Sequence, residues 1–116
     1  MSRPEAGEPE HIDHLPDIYL SVRERYPRVA EALDALGAAS DEAGPLDARE
    51  RRLTTLGIAI GAQSKGAVRS NVRKALELGI SPGAIRHVAV LSITTRGFPA
   101  AVAAMGWIED VLAEET

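Results

Sequence analysis

Proton transfer near neutral pH needs a side chain that titrates there, and beyond the first fourteen residues the chain holds a single histidine, His87. Leu91 and Thr94, four and seven residues further on, share its helical face. Buried or half-buried there, the imidazole is placed to work as acid or base, or else to be a core residue satisfied by a nearby carbonyl. Asn71 is the second candidate. Helical geometry sets it about 60° from Val68, at the border of an apolar face, where its amide reaches an interior pocket or lies at the surface. Thr94, Thr95 and Arg96 immediately precede Gly97, gathering two hydroxyls and a guanidinium at a helix end. Such a group grips a carboxylate or satisfies the last helical carbonyls. The sequence has no Gly-rich phosphate loop, His-Glu-x-x-His motif, serine elbow or close pair of central carboxylates.

The charge distribution also suits a small anion. Residues 1–50 carry twelve acids and five bases, and residues 51–116 carry eight bases and five acids, giving the net charge of −4. Between Arg51 and Arg96 eight cations meet one acid, Glu77, a local surplus of seven. An anionic organic ligand fits that surplus, although solvated helix faces give the same count. Nucleic acid fits less well, because the pI is about 5.3 and the basic residues are not interleaved with aromatics. The chain has no cysteine, which excludes disulfides, zinc ribbons, iron–sulfur clusters and thiol peroxidase chemistry. No apolar run approaches the roughly 18 residues of a membrane span, and the amino terminus lacks the apolar stretch of a signal peptide. A soluble, cytoplasmic protein without a membrane partner is expected. Glu10-His11-Ile12-Asp13-His14 resembles a metal-ligand cluster on paper, but two histidines three apart in a Pro- and Glu-rich leader hold a metal poorly. No metal and no other cofactor is expected.

The elements that position these residues follow from composition and periodicity. With 116 residues, 45% hydrophobic and 3% aromatic, the chain is one Ala- and Leu-rich domain of the all-α class. Residues 1–14 read as a flexible leader, and residues 15–116 as a single helical domain. Ile18, Tyr19, Val22 and Tyr26 recur at helical spacing; Pro27 interrupts; Val29, Leu33 and Leu36 resume until Gly37 and the polar run to Pro45. Asp47 and Glu50 form an acidic capping box for a helix through Leu53, Leu56 and Ile60, which Gly57, Ala59, Gly61 and Ala62 keep thin. The next helix, from about Lys65 to Leu78, sets Val68, Val72 and Ala75 on one face and Lys65, Arg69 and Arg73 on another. Gly79 stops it. Ser81-Pro82 caps a helix that is apolar nearly all round from Ile85 to Ile93 and so reads as central. Gly97-Phe98-Pro99 restarts the last helix, making about six in all.

Leu46 to Ala104 resembles the carboxymuconolactone decarboxylase family, within the alkylhydroperoxidase-D-like superfamily. The resemblance lies in L-D-A-R-E-R-R-L, G-A-Q-S, N-V-R-K-A-L-E-L-G-I-S and G-F-P-A-A-V-A-A. It implies interlocking helices in a trimer, hexamer or related homo-oligomer, with pockets near the subunit contacts. Where the peroxidase branch carries C-x-x-C-x-x-x-H, counting back from Gly79 gives Ser64, Ala67 and Asn71, so thiol turnover is excluded. Relatives of the decarboxylase branch usually have histidine at the place of Asn71 and glutamate at that of His87, whereas Arg51 is retained. The expected function is therefore that of a cofactor-free, lyase- or isomerase-type enzyme acting on a small anionic organic molecule. His87 and Asn71 would be catalytic, with Arg51, Ser64, Thr94, Thr95 and Arg96 binding the substrate. The alternative is a non-catalytic binding or structural oligomer, and convergence of His87, Asn71 and an arginine on one pocket would separate the two.

Overall fold

The computed structural model describes residues 17–115. They form seven helices and no strand: α1 (Asp17–Arg25), α2 (Pro27–Glu42), α3 (Ala48–Gly61), α4 (Lys65–Glu77), α5 (Pro82–Leu91), α6 (Ile93–Arg96) and α7 (Phe98–Glu114). The Glu10–His14 cluster lies outside the described residues. Among the described residues no helix is long and apolar enough to cross a membrane. The chain divides into two compact units, Met1–Pro45 and Leu46–Thr116.

In the first unit Pro27 opens α2, where its fixed φ and missing N–H are harmless. Arg23 of α1 forks onto Asp34 of α2, Nη1 to Oδ1 at 3.0 Å and Nη2 to Oδ2 at 2.6 Å. That guanidinium holds the Asp34 carboxyl below its ordinary pKa. The second helix does not end at Gly37 but runs five residues further, to Glu42. A lone helical glycine costs only about 1 kcal/mol, and the alanines at positions 35, 38 and 39 offset it.

The second unit is built by caps as the sequence implies. Asp47 Oδ1 accepts from the Glu50 amide at 2.8 Å, and Glu50 Oε1 accepts from the Asp47 amide at 2.9 Å. Ser81 Oγ accepts from the Ala84 amide at 3.1 Å, with Pro82 as the first helical residue. Gly97, at φ 94°, occupies backbone space that L side chains rarely adopt, and so lets the chain turn from α6 into α7. The core joins α3, α4, α5 and α7 through Leu56, Ile60, Val68, Val72, Ile85 and Ile108, each 0 or 1% exposed. Beside Gly57, Val88 Cγ1 lies 3.6 Å from where a Cβ would sit, so the thin side of α3 admits α5. Contrary to expectation, α5 is not central. Only Ile85 and Ala89 of it are buried, while Val90 and Leu91 are 48% and 60% exposed. Its continuation breaks at Ser92, whose Oγ bonds the Ala89 carbonyl at 2.6 Å, leaving α6 as a separate short turn.

The outward face of α4 is tied to the end of α7. Arg69 Nη2 and Arg73 Nη2 reach the two oxygens of Glu114 at 2.8 and 2.7 Å, and Arg69 Nη1 lies 3.6 Å from Asp110. Hydrogen bonding from Arg73, with the charges of both arginines, lowers the Glu114 pKa. A carboxyl with a depressed folded pKa contributes stability above its unfolded pKa and loses it as pH falls through the folded value. Glu114 remains 45% exposed, so solvent screening holds the contribution to about 0.5–1 kcal/mol. We expect Glu114→Gln to lower the urea midpoint at pH 7 and to match the parent well below pH 4.5; equal midpoints at both pH values would refute the clamp.

Candidate functional site

Asn71 is the sequence-predicted residue that the structure builds into a polar contact between helices. It sits on α4 beside the buried stripe of Val68 and Val72, and is itself partly buried. Its Nδ2 donates to the Ala67 carbonyl one turn earlier at 2.8 Å. Its Oδ1 accepts from Arg52 Nη1 of α3 at 2.6 Å. Because a guanidinium only donates, the amide oxygen must face Arg52, which settles the orientation of the amide.

The partner of Asn71, Arg52, is a residue that the sequence did not single out. Its side chain is partly buried, and its Nε is closed off from solvent with no hydrogen-bond partner. Among the described residues no carboxylate pairs with it. Leaving a buried donor unmet costs about 1–3 kcal/mol, more for a charged group. A signal was available in the sequence: Arg52 stands four residues before Leu56, hence on the side of α3 that faces the core. The other cations of this region are occupied differently. Arg69 and Arg73 go to Glu114. Arg86 forks onto Glu109, with Nε to Oε2 at 2.8 Å and Nη2 to Oε1 at 3.0 Å. That pair, which lowers the Glu109 pKa, borders an open groove of about 470 Å³ lined also by Leu76, Pro82, Leu112 and Ala113. None of the sequence-predicted site residues lines it.

The remaining candidates do not converge on Asn71. His87 is exposed, neither buried nor half-buried, and its side chain makes no hydrogen bond among the described residues. The helix turns Ile85 and Ala89 inward, and the imidazole lies outside that narrow buried stripe. Thr94 and Thr95 are exposed on α6. Arg96 Nη2 donates to Gln63 Oε1 at 2.6 Å, tying α6 to the α3–α4 joint, where Gln63 itself adopts φ 56°. Arg51 Nη1 donates to the Leu46 carbonyl at 2.6 Å, an anchoring role at the start of α3. Ser64 is the exposed N-cap residue of α4, and its side chain accepts no capping hydrogen bond. Among the described residues no group of three or more His, Asp or Glu side chains is arranged to hold a metal ion.

The model of the carboxymuconolactone decarboxylase family matches residues 27–110, most of the chain. The chain belongs to that family. An uncharacterized protein of Haemophilus influenzae is 30% identical over 66 residues, 57% of this chain and 58% of that protein. The matched stretch thus spans little more than half of that relative. No solved structure matches the chain significantly. Membership accounts for the helical architecture, and the absence of cysteine sets this member apart from any relative that works through a thiolate.

His87, being solvent-facing, should be dispensable for folding. We expect His87→Gln to change the unfolding free energy by less than about 0.5 kcal/mol, as for other surface substitutions. Loss of 1–3 kcal/mol in a denaturant titration would return it to a structural role.

Proposed function

We propose that this member of the carboxymuconolactone decarboxylase family binds a small organic anion on its α3–α4 seam, and that binding rather than acid–base turnover is its activity. The observation carrying this reading is the partly buried Arg52, which has an amide partner and no carboxylate. Glu114 and Glu109 neutralise Arg69, Arg73 and Arg86 at the surface, whereas Arg52, with its buried Nε, meets only an amide. Against the lyase- or isomerase-type reading stands the placement of His87, which is exposed and makes no hydrogen bond to Asn71 or Arg52 among the described residues. Proton transfer within the seam would need a titrating group there, and an amide and a guanidinium do not titrate near neutrality.

Self-association belongs to the same proposal. Ile58, Val90, Leu91, Phe98 and Val102 are 44–65% exposed on α3, α5 and α7, more apolar side chain than a monomer of this size usually leaves in water. A closed homo-oligomer, a trimer or a hexamer, would cover them. Sedimentation at micromolar concentration is expected to report at least a trimer, and a clean monomer would refute this part.

The binding reading is checked by thermal melting with sodium acetate, benzoate and succinate against sodium chloride at equal ionic strength. Ligand at a hundred times its Kd adds about 2.7 kcal/mol of stability, which is several degrees for a domain of this size. Carboxylates that raise Tm no more than chloride does would sink the reading.

A further inference from the structure

We infer that α1 and α2 together form a self-docking surface: a second copy of the chain lays its own α1 and α2 against them, apolar side to apolar side, about a two-fold axis. The inference concerns the first unit alone and is independent of the anion reading. No residue of α1 is buried, and of α2 only Ala30 is. Tyr19, Val22, Tyr26, Val29, Leu33 and Leu36 stand 37–65% exposed. They follow one another in steps of three and four residues, the spacing of the apolar seam in helical bundles.

Helical geometry gathers the six on one side. At about 100° per residue, Tyr19, Val22 and Tyr26 lie about 40–100° to one hand of Arg23, and Val29, Leu33 and Leu36 about 60–120° to the same hand of Ala30. Arg23 and Ala30 mark where the helices meet, because Ala30 is buried and Arg23 forks onto Asp34 one turn beyond it. The chain passes from α1 to α2 through Tyr26 alone, so the same hand on both helices is the same side of the pair. Asp17, Glu24, Glu31 and Glu42 fall about 100–120° to the opposite hand. One side is thus apolar and uncharged, the other acidic.

That division selects the occupant. Helices that lie on membranes keep Lys and Arg opposite their apolar face, and here acids stand there, so a lipid surface is disfavoured. A second copy brings the matching apolar side and turns both acidic sides outward, keeping like charges apart. With Ile18 at the edge, the exposed apolar residues offer roughly 600 Å² per copy, so a pair buries about 1,200 Å², more than the ~1,000 Å² a specific interface needs. Tyr19 enters such a contact with its hydroxyl already provided for, since Arg23 Nη1 donates to it at 3.4 Å.

The test uses the full chain. Leu33→Glu combined with Leu36→Glu places two charges in the seam at positions that one chain leaves exposed. The sedimenting mass is expected to fall by half, from dimer to monomer or from hexamer to trimer. Because the protein has no cysteine, Val29→Cys supplies a unique attachment point. A short bismaleimide is expected to join two copies there, and to leave Glu31→Cys, on the acidic side, unjoined. If the double variant fails to fold, the two cysteine variants decide. Equal mass for parent and double variant would overturn the inference, as would a monomeric parent or joining as ready at position 31 as at 29. A halved mass without joining at position 29 would put some other surface against the pair and overturn the two-fold docking. The ring proposed for the second unit fails separately: a parent dimer that the double variant splits sinks the ring alone, whereas a parent trimer that it leaves intact sinks this inference alone.

Discussion

The second unit is organised around the two-sidedness of α4. Val68, Val72 and Ala75 have no solvent exposure, so that stripe must face α3 and α7 together, and the register of the helix is fixed by it. Once the stripe is set, everything else on α4 follows in steps of about 100°. Arg69 and Arg73, four residues apart, line up towards the end of α7, where Glu114 receives both. Asn71 falls at the border of the stripe and meets α3 instead, where it receives Arg52. A structural clamp and a candidate ligand site thus come from one apolar stripe.

Much of this was legible in the sequence wherever a local rule governed. The Asp47–Glu50 box, the Ser81-Pro82 start and the stops at Gly79 and Gly97 depend on residues within one turn of each other, and each is found as written. The faces of α4 were legible because charged and aliphatic residues separate cleanly around it. The extent of α2 was not, because glycine is a strong stop only when later residues also disfavour helix, and alanines follow Gly37. For α5 the error was of another kind. Val88, Val90 and Leu91 make its sequence apolar around most of its circumference, but the unit offers only enough neighbouring surface to bury Ile85 and Ala89 completely. Hydropathy alone does not say which apolar residues the chain itself can cover.

The candidate site was legible in part for the same reason. Asn71 stood out because an amide beside an apolar stripe is uncommon company. Arg52 did not, because it follows Arg51 and the pair reads as surface charge. Adjacent helical residues point about 100° apart, so two consecutive arginines at the edge of a core cannot both face the same surroundings. Arg51 turns back to the Leu46 carbonyl, while Arg52 crosses to α4. Which of them pairs with Asn71 depends on a partner 19 residues away, a long-range fact without a local signature.

His87 and Arg52 pose the choice between catalysis and binding as a matter of dielectric and contact. An exposed imidazole keeps its hydration and works only on a substrate brought to it, whereas a guanidinium withdrawn from water at one nitrogen strongly favours an ion that replaces that hydration. The two are not joined by any hydrogen bond among the described residues, so a ligand on Arg52 would feel a fixed positive charge and no adjacent proton carrier. Fixed charge without proton transfer stabilises a bound carboxylate and any negative charge developing beside it, yet it cannot complete a step that needs a proton moved. On the proposed reading the seam, within one chain, binds and does not turn over. For the family's scaffold to do acid–base chemistry here, the proton carrier would have to come from the ligand itself or from a neighbouring copy in the proposed oligomer.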